Sequence, residues 1–418
     1  MSYDIDAVRG LFPALAEGAA HFDAPGGTQT PVIVADAVSE TLRSAVANVG
    51  TVTRAERRAG QIVAQFRAAM GDLLGADPRG IVYGRSATAL TYDLGRALSR
   101  DWGPGDEVVV TRLDHDANVR PWVQLAQSKG ATVRWVDFDP RTGELPADAV
   151  AEVLTDRTRL VATTAASNLI GTKPPVCKIG RAVHEVGAIH WVDGVHATAH
   201  ESVDVEALGA DVWTCSPYKF LGPHCGVAAV RPSLLAQWHP DKLLPSPEQI
   251  PERFELGTLP YEFLAGSVAA VETLAWLAET AAPVPRYEVP SGQPDWIDRR
   301  AEGRRERILA GMAALHAHEE GLRERLDAQI RALPGARVYS NAGSRTPTML
   351  FGLDGRDPQD VRTALAKRGV NAPASHFYAI ECSRHLGLGD HGAVRVGLAP
   401  YTSADDVDRL IGALREIA

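Results

Sequence analysis

A carboxylate and an amine open the question of chemistry. Asp193 closes an apolar run, IHWVD (189–193), and Lys219 sits in a Ser-Pro-Tyr-Lys turn (216–219) between two short strand-like segments. A buried strand that ends in an acid presents it at the C-terminal edge of the sheet, where open α/β sheets bind their ligands. A carboxylate there can keep a pyridinium nitrogen protonated. A lysine emerging nearby can form a Schiff base with an aldehyde. That pair is what pyridoxal phosphate chemistry requires. Each residue alone has a plainer reading, since a strand-end Asp caps turns and a Lys carries its ammonium to water. Only the neighbouring features tip the pair toward chemistry.

One such feature is GRSATALTYDLG (84–95), a strand-to-helix junction of small residues. Ser86, Ala87 and Thr88 fall at a helix N-terminus, where free N–H groups and the helix dipole favour a phosphate. Taken alone, the motif reads more simply as an ordinary N-cap.

These residues need a scaffold of aligned strands, and the chain supplies the pattern. Strands are expected at 81–84, 106–111, 132–138, 158–166 and 188–194, with helices between them, followed by WTCS and GVAAVR. Alternating helices and near-continuous apolar strands predict an α/β fold, a large doubly wound, mostly parallel sheet buried on both faces. Helices are expected before it near 31–48 and 55–75 and after it over 261–280. Residues 282–297 are rich in Pro and Gly and read as an irregular insertion. A long charged helix is expected over 298–333, its charges forming a solvated face. The remainder reads as a small α+β unit. The expected organisation is an N-terminal segment, 1–20, packing with the small domain; a large domain, 21–281; the insertion, 282–297; and a small C-terminal domain, 298–418.

Composition excludes several classes. A chain of 418 residues has room for two to three domains. Lys plus Arg number 43 and Asp plus Glu 52, a net charge of −9. That argues against a nucleic-acid surface and a basic membrane patch. Four cysteines without CxxC spacing suit neither a disulfide scaffold nor a structural zinc site, so no metal is expected. No apolar run reaches the length of a membrane span. The opening MSYDIDAVRGLF carries acids where a signal peptide needs basic residues. A cytoplasmic location is the expectation.

The ordered series DHDANVRPW, SNLIGT, VDGVHA, SPYKFLGP, FELGTLP and RVGL resembles the class V aminotransferase family of fold type I pyridoxal-phosphate enzymes. Within it, the chain resembles the cysteine desulfurase-like branch. The resemblance runs from FDAPGGTQTP (22–31) to VRVGLAPYTSADDVDRL (394–410). It implies that Lys219 carries the cofactor as an aldimine and that Asp193 pairs with the pyridine nitrogen. It implies further that His115 stacks on the ring and moves protons, and that Asn168 lies near the ring oxygen and the substrate. His196 stands where many relatives carry glutamine, and either side chain can bond the ring oxygen. Ser216 is placed to donate to the phosphate. Tyr218 departs from the commoner histidine, although a phenol can also donate there. Thr258 matches a segment that reaches the phosphate of a partner subunit, which implies a homodimer with shared active sites. Arg395 matches the arginine that clamps the substrate α-carboxylate, work that suits a guanidinium. Arg54, Arg57 and Arg58 either approach the site or lie on a helix surface.

Desulfurases of this family use a cysteine on a loop before the clamp arginine. Here that loop carries His376-Phe377-Tyr378, with Cys382 four residues later. His376 and Tyr378 read as groups on the substrate side of the pocket. Cys382 is either a displaced nucleophile or a packing residue. Glu381 opposes a reactive thiolate, while Arg384 and His385 favour one. Cys177, Cys215 and Cys225 read as core or wall positions. The implied activity is a desulfurase-like lyase that cleaves a carbon–sulfur bond of an amino acid, with a sulfur-acceptor protein as a further partner. The alternatives are an aminotransferase or epimerase, and a catalytically silent binding protein.

Overall fold

The computed structural model describes residues 3–418. The first strand, β1 (Ala20–His21), follows a short helix, Ile5–Arg9. Next come β2 (Ile81–Gly84), β3 (Glu107–Thr111), β4 (Thr132–Val136) and β5 (Thr158–Thr164), then β6 (Ile189–Asp193), β7 (Val212–Cys215) and β8 (Gly226–Val230). The C-terminal part holds β9 (Ala336–Val338), β10 (Thr348–Leu353), β11 (Val370–Asn371), β12 (Ala374–Ser375) and β13 (Ala393–Gly397).

Strands β2 to β8 form one sheet in the order β2-β8-β7-β6-β5-β3-β4. Neighbours from β4 to β7 are parallel, while β8 runs antiparallel to both β7 and β2. So β2 points the same way as the parallel strands, and six C-terminal ends meet along one edge. Strands β3, β7 and β8 are buried throughout, as a sheet covered on both faces demands. A second sheet, β12-β13-β10-β9, is antiparallel, and β1 pairs in parallel with β11. This is the fold that the alternating pattern predicts.

Caps explain several boundaries. Helix Arg54–Leu74 opens on a Thr53–Glu56 capping box and stops at Gly75, whose φ is 60°. The long helix begins at Arg304 rather than near 298, because Gly303 before it is left-handed, φ 63°. Residues 282–297 contain neither helix nor strand. They lie along Arg54–Leu74, where Arg54, Arg57 and Arg58 donate to the carbonyls of Ser291, Gly292 and Pro290. Those arginines therefore hold this segment and do not approach the site.

The N-terminal segment meets both parts of the chain. Val8, Leu11 and Phe12 join the large core beside Phe66 and Val268. Tyr3 stacks on His318 of the long helix at 4.4 Å, Arg9 pairs with Asp406 of the terminal helix Ala404–Ile417 at 2.7 Å, and Ala20 joins the apolar cluster of that helix. Met1 and Ser2 of that segment lie outside the described residues. Among the described residues no helix is long and apolar enough to cross a membrane.

Candidate active site

Five strand ends build one cavity. The loop after β2 brings Ser86, Ala87 and Thr88. The loop after β3 brings His115, that after β5 brings Asn168, and β6 ends on Asp193 with His196 beyond it. Ser216, Tyr218 and Lys219 follow β7. All ten line the same space. Ser86 caps helix Ala87–Leu98 by accepting the Ala89 N–H at 3.1 Å, so the plain reading of its side chain holds. The first N–H groups of that helix still face the cavity edge, as an anion site requires. Gly226 of β8 permits this arrangement, since a Cβ there would collide with the backbone of Ser86 and Ala87.

Burial tunes the charges. Asp193 is almost fully enclosed, and burial raises its pKa to about 6 against the pull of the Val195 N–H at 2.9 Å and of Lys219. Burial, joined by Arg395, lowers Lys219 to about 7 against the pull of Asp23 and Asp193. Its Nζ donates to the carbonyls of Pro25 and Gly26. His115 is lowered to about 3 by burial, then by Lys219 and Arg395, so its imidazole is neutral. Its Nδ1 accepts the Ala117 N–H at 3.0 Å, leaving Nε2 as the nitrogen that carries hydrogen. His196 is held well below its ordinary range, first by burial. Its Nε2 lies 2.9 and 3.0 Å from the hydroxyls of Thr346 and Thr348. Tyr218 stacks on His224 with ring centres 4.7 Å apart.

Arg395 stands in β13 beside this cavity and is buried. Its Nη1 donates to the Asn168 carbonyl at 3.0 Å, and its guanidinium lies 3.7 Å from the centre of the Phe377 ring. The turn His376-Phe377-Tyr378 folds over the mouth. Phe377 and Tyr378 are both left-handed, with φ of 49° and 59°. Such residues cost energy and persist only where the surroundings impose them. Asn168 Nδ2 holds the Phe377 carbonyl at 3.0 Å, and the Asp116 N–H holds that of Tyr378 at 2.7 Å. The exposed Tyr378 ring stacks on His115 at 5.8 Å. His376 turns its Nδ1 inward to the Tyr378 N–H.

Thr258 is exposed on the loop before helix Tyr261–Trp276, outside the cavity of its own chain. The Cys382 side chain stands apart from the cavity. It lies in helix Ile380–His385 with no exposed surface, packed among Leu350, Ala379 and Ala393. Burial pushes its thiol well up, whereas a nucleophile needs a stabilised thiolate. Cys215 and Cys225 are buried as well.

Three residues escaped the sequence reading: Asp23, Phe377 and Asp114. Asp114 precedes His115 and is enclosed, with Oδ1 on Asn118 Nδ2 at 2.6 Å and Oδ2 on the Thr111 hydroxyl. Burial raises it to about 8. Between about pH 4, where an unfolded aspartate titrates, and pH 8 the native chain keeps a proton that the unfolded chain has lost. Stability therefore falls as pH rises through that window. The Asp114→Asn protein, which cannot ionise there, should gain at least ~1 kcal/mol on wild type between pH 5 and pH 8. Urea midpoints at the two pH values measure this, and parallel pH dependence in both proteins refutes it.

The donor set fits pyridoxal phosphate. A carboxylate, a lysine and a helix N-terminus converge, and three buried atoms around them, Asn168 Oδ1, His196 Nδ1 and Arg395 Nε, have no partner in the protein. Comparison with known proteins agrees on the family. The aminotransferase class-V model matches residues 20–282 and 307–410. An uncharacterized protein of Mycobacterium tuberculosis is 33% identical over all of both chains. An aminotransferase-like protein of Gibberella zeae is 30% identical over all of this chain and 99% of its own. A probable cysteine desulfurase of Vibrio cholerae is 28% identical with the same coverage. The solved cysteine desulfurase of Thermococcus onnurineus shares the fold, with a TM-score of 0.85 at 24% identity over 100% of this chain and 98% of that one. From the strand ends to the matched relatives, these findings place the chain in the class V aminotransferase family, with the fold of the type I pyridoxal-phosphate enzymes.

Proposed function

We propose that this chain is a pyridoxal-phosphate enzyme of the cysteine desulfurase-like type, which cleaves a carbon–sulfur bond of an amino acid without a thiol of its own. The convergence of Lys219, Asp193 and Asn168 on one cavity, with Arg395 bonded to the Asn168 carbonyl beside it, carries the reading. When bound, the cofactor supplies an electron sink for the bonds at the substrate's α-carbon. Asp193 would face the pyridine nitrogen, and its charge keeps that nitrogen protonated. His115 would lie against the ring. The N-terminus of helix Ala87–Leu98, with Ser216 and Tyr218, would hold the phosphate. Arg395 and Asn168 orient the substrate by its α-carboxylate. Lys219 Nζ, lowered to about 7, is poised both to bond the cofactor and to move the α-proton near neutral pH. The Phe377–Tyr378 turn limits water at the mouth.

Burial of Cys382 also suits an aminotransferase or an epimerase, neither of which needs a thiol. A product screen separates these readings. The loaded protein is incubated with cysteine, cysteine sulfinate, cystine and pairs of amino and keto acids. Sulfide with pyruvate from cysteine, or sulfite with alanine from cysteine sulfinate, supports the lyase. A new amino acid formed only with a keto acid supports the aminotransferase. Cys382→Ser should leave sulfur release within about twofold of wild type while costing roughly 1 kcal/mol of stability. Loss of release at an unchanged melting temperature would restore the nucleophile.

The reading includes a cytoplasmic homodimer. Thr258 sits beside Leu256, 58% exposed, and Leu243 and Leu244 are 72% and 96% exposed. These exposed leucines support a surface that a second copy would cover. Light scattering should give twice the chain mass.

A further inference from the structure

The turn after β1, residues 23–27, holds both cationic groups of the site. Asp23 Oδ1 pairs with Arg395 Nη2 at 2.7 Å. The Pro25 and Gly26 carbonyls accept from Lys219 Nζ. The turn is closed by the N–H groups of Gly26 and Gly27, which return to the Asp23 carbonyl at 2.8 and 3.0 Å. Its flanks are fixed as well. The Gly397 N–H bonds the Phe22 carbonyl at 2.8 Å, and the Thr28 N–H bonds that of Tyr218 at 3.1 Å. Gly26 is needed because a Cβ there would collide with both carboxylate oxygens of Asp23.

The two partners of the ion pair differ sharply in exposure. The Arg395 side chain is 2% exposed and that of Asp23 is 46% exposed. A guanidinium this enclosed is costly without an anion, so Arg395 needs one whether or not substrate is present. Asp23 has water to turn to, while its backbone stays anchored on both sides.

We propose that Asp23 is an exchangeable internal ligand of Arg395, which occupies the guanidinium in the empty site and yields it to the α-carboxylate of an entering amino acid. The proposal rests on Arg395 being the carboxylate clamp of the function proposed above. It makes Asp23 a specificity residue. An incoming carboxylate replaces one anion by another, so no buried charge is left alone. An amine without a carboxylate cannot replace Asp23 and leaves the pair shut. The exchange also weakens substrate binding, since part of the attraction of Arg395 is already engaged.

The test uses the full chain freed of pyridoxal phosphate, titrated by calorimetry with L-alanine, formate and ethylamine. Asp23→Asn keeps the side-chain volume and removes the competing charge. L-Alanine and formate should bind the Asp23→Asn protein about tenfold more tightly than wild type, within the usual range of coupling between two ligands. Formate should also raise its melting temperature saturably, with little effect on wild type, and ethylamine should move neither protein. Equal or weaker carboxylate binding by Asp23→Asn overturns the proposal and makes Asp23 a fixed strut for Arg395. The double variant Asp23→Asn/Arg395→Gln replaces the ion pair by a neutral pair of similar shape and should lose the formate response. A response that survives there puts the anion elsewhere and also overturns the proposal. Cofactor uptake by wild type is followed separately by absorbance. Its failure alongside intact carboxylate exchange would count against the functional reading and not against the exchange.

Discussion

Lys219→Ala is expected to abolish covalent attachment of pyridoxal phosphate and to lower turnover by roughly 10³-fold or more, since the same amine serves as anchor and as general base. Nothing else in the cavity can replace it. The line of residues around the pocket contains one lysine, and His115 and His196 are both held neutral with pKa values far below neutrality. Burial brings Lys219 to about 7, so a substantial share of it is the free amine at pH 7 to 8. The fold should survive, because Nζ bonds only the Pro25 and Gly26 carbonyls of a turn that is closed by its own backbone. Borohydride reduction followed by mass spectrometry of the peptides reads the attachment directly. An adduct on the Lys219 peptide in wild type and none in the variant is the expected result. An adduct on another lysine, or turnover within tenfold of wild type, would refute the assignment.

What could be read from sequence followed the physics of repetition. The inner strands of the large sheet carry apolar runs that only a two-faced burial explains, and the loops after β2, β3, β5, β6 and β7 bear the site residues. Asp193 was legible for that reason, as a strand-end residue, whereas Asn168 and His115 were assigned through the family resemblance. Ser86 to Thr88 were legible because a helix N-terminus follows from capping chemistry. The residues that escaped depend on contacts between distant segments. Asp23 meets Arg395 across nearly the whole chain, and no local pattern marks it. Phe377 adopts a left-handed backbone that its residue type does not announce. Cys382 was ambiguous because its neighbours Glu381, Arg384 and His385 argue from sequence about reactivity. The thiol itself is turned away from all three, into an apolar cluster.

The long charged helix, Arg304–Arg331, fails the expectation of a solvated face at a position with large energetic consequences. Its first residue is a basic one at a helix N-terminus, which opposes the helix dipole. Arg304 tolerates this because its side chain is entirely buried among three acids. Nε meets Glu272 at 2.8 Å, Nη1 meets Asp72 at 3.0 Å and Nη2 meets Asp298 at 2.8 Å. These partners come from helix Tyr261–Trp276, from helix Arg54–Leu74 and from the irregular segment before the long helix. One guanidinium thus ties four parts of the chain together. Burial, and to a lesser degree Asp298, raises Asp72 against the pull of Arg304, so the acids depend on their cation. Arg304→Met keeps an apolar stem of similar length and leaves Glu272, 7% exposed, with only the more distant Arg307 at 3.7 Å. Breaking a buried pair from one side costs about 3–5 kcal/mol, more than the pair itself contributes, because a buried charge is left unpaired. Arg304→Met is therefore expected to lose about 3–5 kcal/mol by urea denaturation. Adding Glu272→Gln should recover part of that loss by removing the stranded charge. A single-variant loss below about 1 kcal/mol, or a double variant that is weaker still, would show that the cluster is solvated in solution and that the long helix is the exposed element its composition suggests.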